Sequence, residues 1–198
     1  MNVNGTQLPK DAQCPNCRKT IWLVEPLGNI VGMAIMRRAA TELASGDSTL
    51  TIVLAAMAVE SQLAYLFMKW NRVDLTLQRN PTDADEEEWE ERWRDIRSVA
   101  ARFDRVSSLL AGQSFDSFLS ANGGLLKSVL TYYRSSAGAS AKDFFVKGLF
   151  HKRRVVHFGK IDFQQSDAEL CFALATAVWH ILVAMDAHRY RKLQSKWS

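Results

Sequence analysis

The sequence predicts an all-α fold, a helical bundle of five or six helices with a small N-terminal appendage. Apolar residues recur every three or four positions over most of the chain, the spacing that places them on one face of a helix. Short stretches rich in Ser, Thr, Asn and Gly separate these segments, as expected of caps and turns. Because 198 residues with 47% apolar content can bury one core, we expect a single domain over residues 29–198.

The appendage, residues 1–28, contains Cys14 and Cys17 in a CxxC motif, followed by a β-branched and aromatic run. This pattern predicts a knuckle and a short β-hairpin. Two thiolates at this spacing can bind one zinc ion, but a second CxxC pair is missing from the sequence. His151, His188 or a second subunit would therefore have to complete the four ligands. A metal-free knuckle and a redox dithiol remain alternatives.

Three helices are predicted in the first part of the main domain. Residues 30–44 carry apolar side chains at helical spacing. Residues 49–72 are apolar on almost every side, with Ser48 as the expected cap, so this helix should be central. Thr82 precedes acidic first turns of a third helix, whose single apolar stripe continues as far as Gly112.

The second half of the chain predicts shorter elements and then a long helix. Residues 114–120 fit a short turn of helix or a packed loop, residues 125–133 fit a short helix, and residues 135–140 are the most linker-like stretch. A further helix is expected to begin near Ser140. The last helix, residues 167–192, should start at the capping sequence Ser-Asp-Ala-Glu. Its predicted core side chains are Leu170, Leu174, Val178, Ile181 and Met185.

Two apolar runs, residues 49–68 and 168–187, are each long enough to cross a membrane. Polar residues interrupt both runs, Glu60 in the first and His180 and Asp186 in the second. We therefore expect the centre of a soluble bundle and no membrane partner. With only three cysteines and no N-terminal signal pattern, the sequence predicts a cytoplasmic protein.

A basic cluster, Lys152-Arg153-Arg154, precedes His157 near an expected helix boundary. Arg153 and Arg154 precede His157 by four and three residues, so all three can share one helix face. Imidazole can exchange a proton near neutral pH, and arginine can bind phosphate through two hydrogen bonds. The same residues also fit a solvated helix end around a packed histidine. Residues 146–198 contain nine Lys or Arg against four Asp or Glu, which suits a polyanion but is also common on ordinary surfaces.

This segment resembles the HEPN superfamily (higher eukaryotes and prokaryotes nucleotide-binding). The matching features are His157, the basic residues before it, the Val-Val-His-Phe-Gly run at 155–159 and the alanine-rich helix that follows. The helix over residues 52–67, with Glu60, matches more loosely. The resemblance implies a metal-independent endoribonuclease that needs no cofactor, binds RNA, acts as a homodimer and belongs to a defence or toxin-type system.

The resemblance also implies roles for individual residues. The family's arginine stands five to seven residues before the histidine, where this chain has Lys152, His151 or Phe150. The catalytic residues by this interpretation are His157, Arg153 and Arg154. The phosphate-binding or RNA-binding residues are Lys152, His151 and Lys160, and Glu60 would orient one of the basic groups. The alternatives are a non-catalytic dimerisation module that binds nucleotide or a protein partner, and a zinc-knuckle nucleic-acid binder.

Overall fold

The computed structural model of the protein describes residues 29–122, 140–153, 159 and 162–195. These residues are all-α, as predicted, and contain no strand. A π-helical segment, Val146–His151, directly continues the sixth α-helix. The knuckle and hairpin expected in residues 1–28 and the helix expected at 125–133 lie outside the described residues. The α-helices are α1 (Ile30–Ser45), α2 (Ser48–Thr76), α3 (Asp83–Asp95), α4 (Val99–Ala111), α5 (Phe115–Ala121), α6 (Ala141–Phe145) and α7 (Gln165–Gln194).

Helices α2 and α7 form the centre of the bundle and run parallel. The Ser48 hydroxyl donates to Gln165 Oε1 at 3.3 Å, and Lys69 Nζ donates to Asp186 at 2.7 Å. Both pairs are 117 residues apart, so the two helix axes point in the same direction. This arrangement confirms the central position predicted from their apolar composition. The largest buried side chains on these helices are Ile52, Leu63, Leu66, Phe67, Trp70, Leu174, Ile181 and Leu182.

By length and composition alone, α2 and α7 are also apolar enough to cross a membrane. The bundle itself buries 56% of the apolar window of α2 and 50% of that of α7. Central helices of soluble proteins combine the same length, composition and burial. The two helices are therefore weak evidence for a membrane location.

Helix α1 lies antiparallel to α7. Near its C-terminal end, the carbonyl of Leu43 accepts a hydrogen bond from Gln165 Nε2 at 3.1 Å. Near its N-terminal end, a Cβ placed on Gly32 would lie 2.8 Å from Cη2 of Trp179. Gly32 therefore lets the indole ring of α7 lie directly against the backbone of α1.

The single helix expected between Thr82 and Gly112 is wrong, because the chain forms two helices there. Thr82 begins α3 with a complete capping box, as its sequence predicts. At Ile96 the backbone leaves the helical conformation, with ψ at 87°. The hydroxyl of Ser98 then accepts from the backbone N–H of Ala101 at 3.0 Å and begins α4. The apolar stripe continues across this break, so its periodicity does not reveal the change of direction.

The predicted cap of α2 is displaced by one residue. The carboxylate of Asp47, rather than the hydroxyl of Ser48, accepts from the backbone N–H of Leu50 at 2.9 Å. Asp and Ser are nearly equal as N-caps, so two adjacent candidates cannot be separated by propensity.

The expected capping box at Ser166 is also wrong. Helix α7 begins earlier, at Gln165, and its N-cap residue Gln164 makes no side-chain capping hydrogen bond. Within α7, four of the five predicted core residues are fully buried, but Leu170 is 37% exposed. The neighbouring residue Cys171 faces the interior instead.

Candidate functional site

The basic residues follow the helix that begins at Ser140. The Ser140 hydroxyl accepts from the backbone N–H of Asp143 at 3.0 Å, which confirms the predicted start of this helix. Residues 146–151 are π-helical, not the uninterrupted α-helix that the expected spacing assumed. A π-helical turn shifts all later side chains around the helix axis and often occurs at functional sites. Lys152 and Arg153 come directly after it.

Gly148 brings the π-helical segment against α7. A Cβ at this position would lie 2.6 Å from Cδ1 of Leu174, so only glycine fits without a shift of that leucine. The Gly148 carbonyl also accepts a hydrogen bond from the thiol of Cys171 at 3.4 Å. Burial raises the pKa of Cys171 to about 11, so the thiol keeps its proton at neutral pH and can act as this donor.

Arg153 joins this helix to the centre of the bundle. Its Nη1 forms an ion pair with the carboxylate of Glu60, near the middle of α2. Both side chains are largely covered, with exposed fractions of 25% and 21%. The Nε of Arg153 is buried and has no hydrogen-bond partner among the described residues. Glu60 thus meets one of the basic groups that it was expected to orient.

Lys152, the residue before Arg153, pairs with a different helix. Its Nζ forms an ion pair with Asp167 in the first turn of α7. His151, one residue earlier, is exposed. Two of the predicted cations, Lys152 and Arg153, are therefore adjacent, and each has a carboxylate partner. We refer to these two cations with Asp167 and Glu60 as the basic corner. The sequence offered Glu60 as a partner for a basic group, but it did not reveal Asp167, which belongs to another helix.

The remaining predicted site residues lie outside the described part of the chain. They are Arg154, His157 and Lys160 of the basic motif and Cys14 and Cys17 of residues 1–28. In the described ranges, no three His, Cys, Asp or Glu side chains converge closely enough to hold a metal ion. Catalysis by the histidine and zinc binding by the two cysteines therefore stay predictions.

A second polar cluster, which the sequence did not reveal, lies between α2 and α7. The Asp186 carboxylate accepts from Trp70 Nε1 at 2.5 Å and from Lys69 Nζ at 2.7 Å. The guanidinium of Arg189 lies 4.6 Å from the Trp70 ring centroid. Burial, followed by the Asp186 charge, raises the pKa of Tyr65 to about 12. The one signal in the sequence was Asp186 itself, an acidic residue within the apolar run of α7. A carboxylate that becomes covered there requires partners.

Comparison with known proteins adds no relative. No family model, curated protein or solved structure matches the chain. The resemblance to HEPN domains therefore rests on the residues around His157 and stays a prediction.

Proposed function

We propose that this chain is a HEPN-like RNA-binding domain that acts as a metal-independent endoribonuclease. The observation that supports the proposal is the ion pair between Arg153 and Glu60, which fixes a basic residue of the motif against the central helix α2. A guanidinium held by the folded protein loses little conformational freedom when it binds a phosphate. It can also stabilise charge that develops on that phosphate during reaction.

Arg153 can bind a phosphate while it remains paired with Glu60. The carboxylate contacts Nη1, and a guanidinium has five N–H donors in all. Its Nε has no hydrogen-bond partner among the described residues. Because Nε itself is covered, an incoming phosphate would bind the remaining N–H groups of Nη1 and Nη2. Arginine also forms two parallel hydrogen bonds to phosphate, which lysine cannot do.

His157 would supply the proton transfer. As general base it would take the proton of a ribose 2′-hydroxyl while that oxygen attacks the adjacent phosphorus. The bond from phosphorus to the 5′-oxygen would break, and that oxygen would take up a proton. The products would be a 2′,3′-cyclic phosphate and a free 5′-hydroxyl. Arg153, Arg154 and Lys152 would hold the phosphate, and a homodimer would place two such sites at one groove.

The decisive experiment measures RNA cleavage in the presence of a chelator. Mixed-sequence single-stranded RNA is incubated with the intact protein and EDTA, and the cyclic phosphate ends are detected by mass spectrometry. The wild-type chain should cleave, and His157→Ala should not, at an unchanged melting temperature. Arg153→Gln should lower the rate by about a hundredfold, the usual effect of losing one charge-stabilising donor.

The matched control is Arg97→Gln, which removes one arginine charge from the connection between α3 and α4. This variant should cleave at the wild-type rate. Undiminished cleavage by His157→Ala, or no cleavage by the wild-type chain under any of these conditions, would refute the nuclease proposal.

A second function, of a different class, is favoured by the pairing of the basic corner. Lys152 and Arg153 already have carboxylate partners, Asp167 and Glu60. Neither cation therefore needs an RNA phosphate to balance its charge. A non-catalytic module that dimerises, or that binds nucleotide or a protein partner, would use these ion pairs to hold the bundle together. It would give no chelator-resistant RNA products.

A further inference from the structure

A surface groove of about 320 Å³ lies between α1 and α7. The Trp179 ring closes part of it, because Gly32 allows the indole to lie against the backbone of α1. The groove faces a different side of α7 from Cys171, which contacts the π-helical segment. It is therefore separate from the basic corner. Its apolar wall consists of Met33, Met36, Ala40, Phe172, Trp179 and the methyl-bearing Thr176.

Exposed apolar side chains extend this surface along both helices. Ile30, three residues before Met33 on the same face of α1, is 59% exposed. Val183, four residues after Trp179 on the same face of α7, is 45% exposed. Methionine adapts its shape to different ligands, and partly covered tryptophan offers a large apolar surface. The groove thus offers a contiguous apolar surface along two antiparallel helices.

Among the described residues that line the groove, Arg37 carries the one fixed charge. Arg37 and His180 line it, both are exposed, and no carboxylate belongs to the lining. In the described part of the chain, the Arg37 guanidinium makes no ion pair. The neighbouring Arg38 is instead paired with Glu42. An apolar wall with an unpaired guanidinium at its edge is complementary to a molecule that has an apolar body and one negative end.

We propose that this groove binds a medium-chain amphiphile with a single anionic head group, of which a free fatty acid is the simplest. The alkyl chain would lie along Met33, Met36 and Trp179, and the carboxylate would accept from Arg37. The volume is at the lower end of ordinary ligand sites, about 300 to 1,000 Å³, so it suits a ligand of about ten heavy atoms.

The test titrates the intact protein with decanoate below its micelle concentration, using calorimetry and intrinsic fluorescence. One site per chain is expected. Decyltrimethylammonium, which has the same chain and a positive head, should bind at least tenfold more weakly. Arg37→Gln should weaken decanoate binding about tenfold, since a charge-assisted hydrogen bond is lost. Arg97→Gln, which removes a distant arginine, should bind as the wild type does.

Two further variants keep the test independent of a single substitution. Ala40→Trp should fill the groove and abolish binding. Ala40→Glu should place a carboxylate one turn from Arg37 and weaken decanoate binding as much as Arg37→Gln does. Trp179→Phe should lose the fluorescence change and keep the calorimetric signal.

Three outcomes would overturn the proposal. The first is no saturable binding of decanoate by the wild-type chain. The second is equal binding of the anionic and cationic amphiphiles, or an equal effect of Arg37→Gln and Arg97→Gln. The third is a ligand-free self-association that Ala40→Trp removes, because a second copy would then occupy the groove.

Discussion

Removal of the Glu60 carboxylate should destabilise the folded protein by about 2 kcal/mol. In Glu60→Ala, the Arg153 charge would stay three-quarters covered without its partner. Breaking a fully buried ion pair costs about 3–5 kcal/mol, whereas an exposed pair contributes about 0–1 kcal/mol. With exposed fractions of 25% and 21%, this pair falls between those limits.

A double-mutant cycle separates the pair itself from the other effects of each substitution. Glu60→Ala, Arg153→Ala and the double variant should give a coupling free energy of about 1–2 kcal/mol. The matched control is Glu88 with Arg92, a pair on one helix at 3.5 Å whose side chains are 63% and 43% exposed. Its coupling should be no more than about 0.5 kcal/mol.

The assay is urea unfolding followed by circular dichroism. The slope of the unfolding free energy against urea concentration should be the same in all variants. Each kcal/mol should also lower the melting temperature by about 2–4 °C for a chain of this size. A coupling for Glu60 and Arg153 no larger than that of the control pair would refute the reasoning. The ion pair would then be a surface contact without a positioning role.

Three further predictions concern groups between the helices. Asp186→Ala should cost about 3 kcal/mol in urea unfolding, because the buried Trp70 Nε1 and a covered lysine lose their shared acceptor. Burial and the Asp186 charge raise the pKa of Tyr65 to about 12, so the folded state keeps this proton longer than the unfolded state. Stability should therefore fall as the pH rises from about 10 to 12, and Tyr65→Phe should reduce that loss. Because burial raises the pKa of Cys171 to about 11, iodoacetamide at about pH 8 should modify Cys171 only after unfolding, as measured by peptide mass spectrometry.

Each of these predictions has a result that contradicts it. Glu86→Ala, which removes a carboxylate paired with Arg72 whose side chains are 38% and 61% exposed, should cost less than about 1 kcal/mol. A similar cost for Asp186→Ala would show that the covered acceptor has no special importance. An alkaline loss unchanged in Tyr65→Phe, or rapid modification of native Cys171, would contradict the burial argument.

The helices were predictable wherever a periodic apolar pattern coincided with a clear terminal signal. Residues 30–44 and 49–72 correspond closely to α1 and α2, and Thr82 caps α3 as expected. The break before Ser98 was missed because neither Ile96 nor Arg97 disfavours a helix and the apolar stripe continues. Serine was the only local signal there, and packing decided the outcome.

The candidate site was predictable only in part, because packing between helices decides its contacts. Sequence spacing identified Lys152 and Arg153 as a cationic helix end. The π-helical turn before them has no local signal except Gly148, which lies against Leu174 of α7. Glu60 was a candidate because it is the one charge in the apolar run of α2, but the sequence did not specify which basic group it meets. Such contacts exist only after the helices have packed.

The most direct test of the central claim is the salt dependence of RNA binding. The His157→Ala chain, which should bind without cleavage, is compared with the same chain carrying Arg153→Gln by fluorescence anisotropy at several potassium chloride concentrations. If Arg153 contacts one phosphate, the slope of log affinity against log salt should decrease by about 0.7, and affinity should fall for all single-stranded sequences alike. Identical slopes and affinities for the two chains would contradict the assignment of Arg153 to the RNA phosphate.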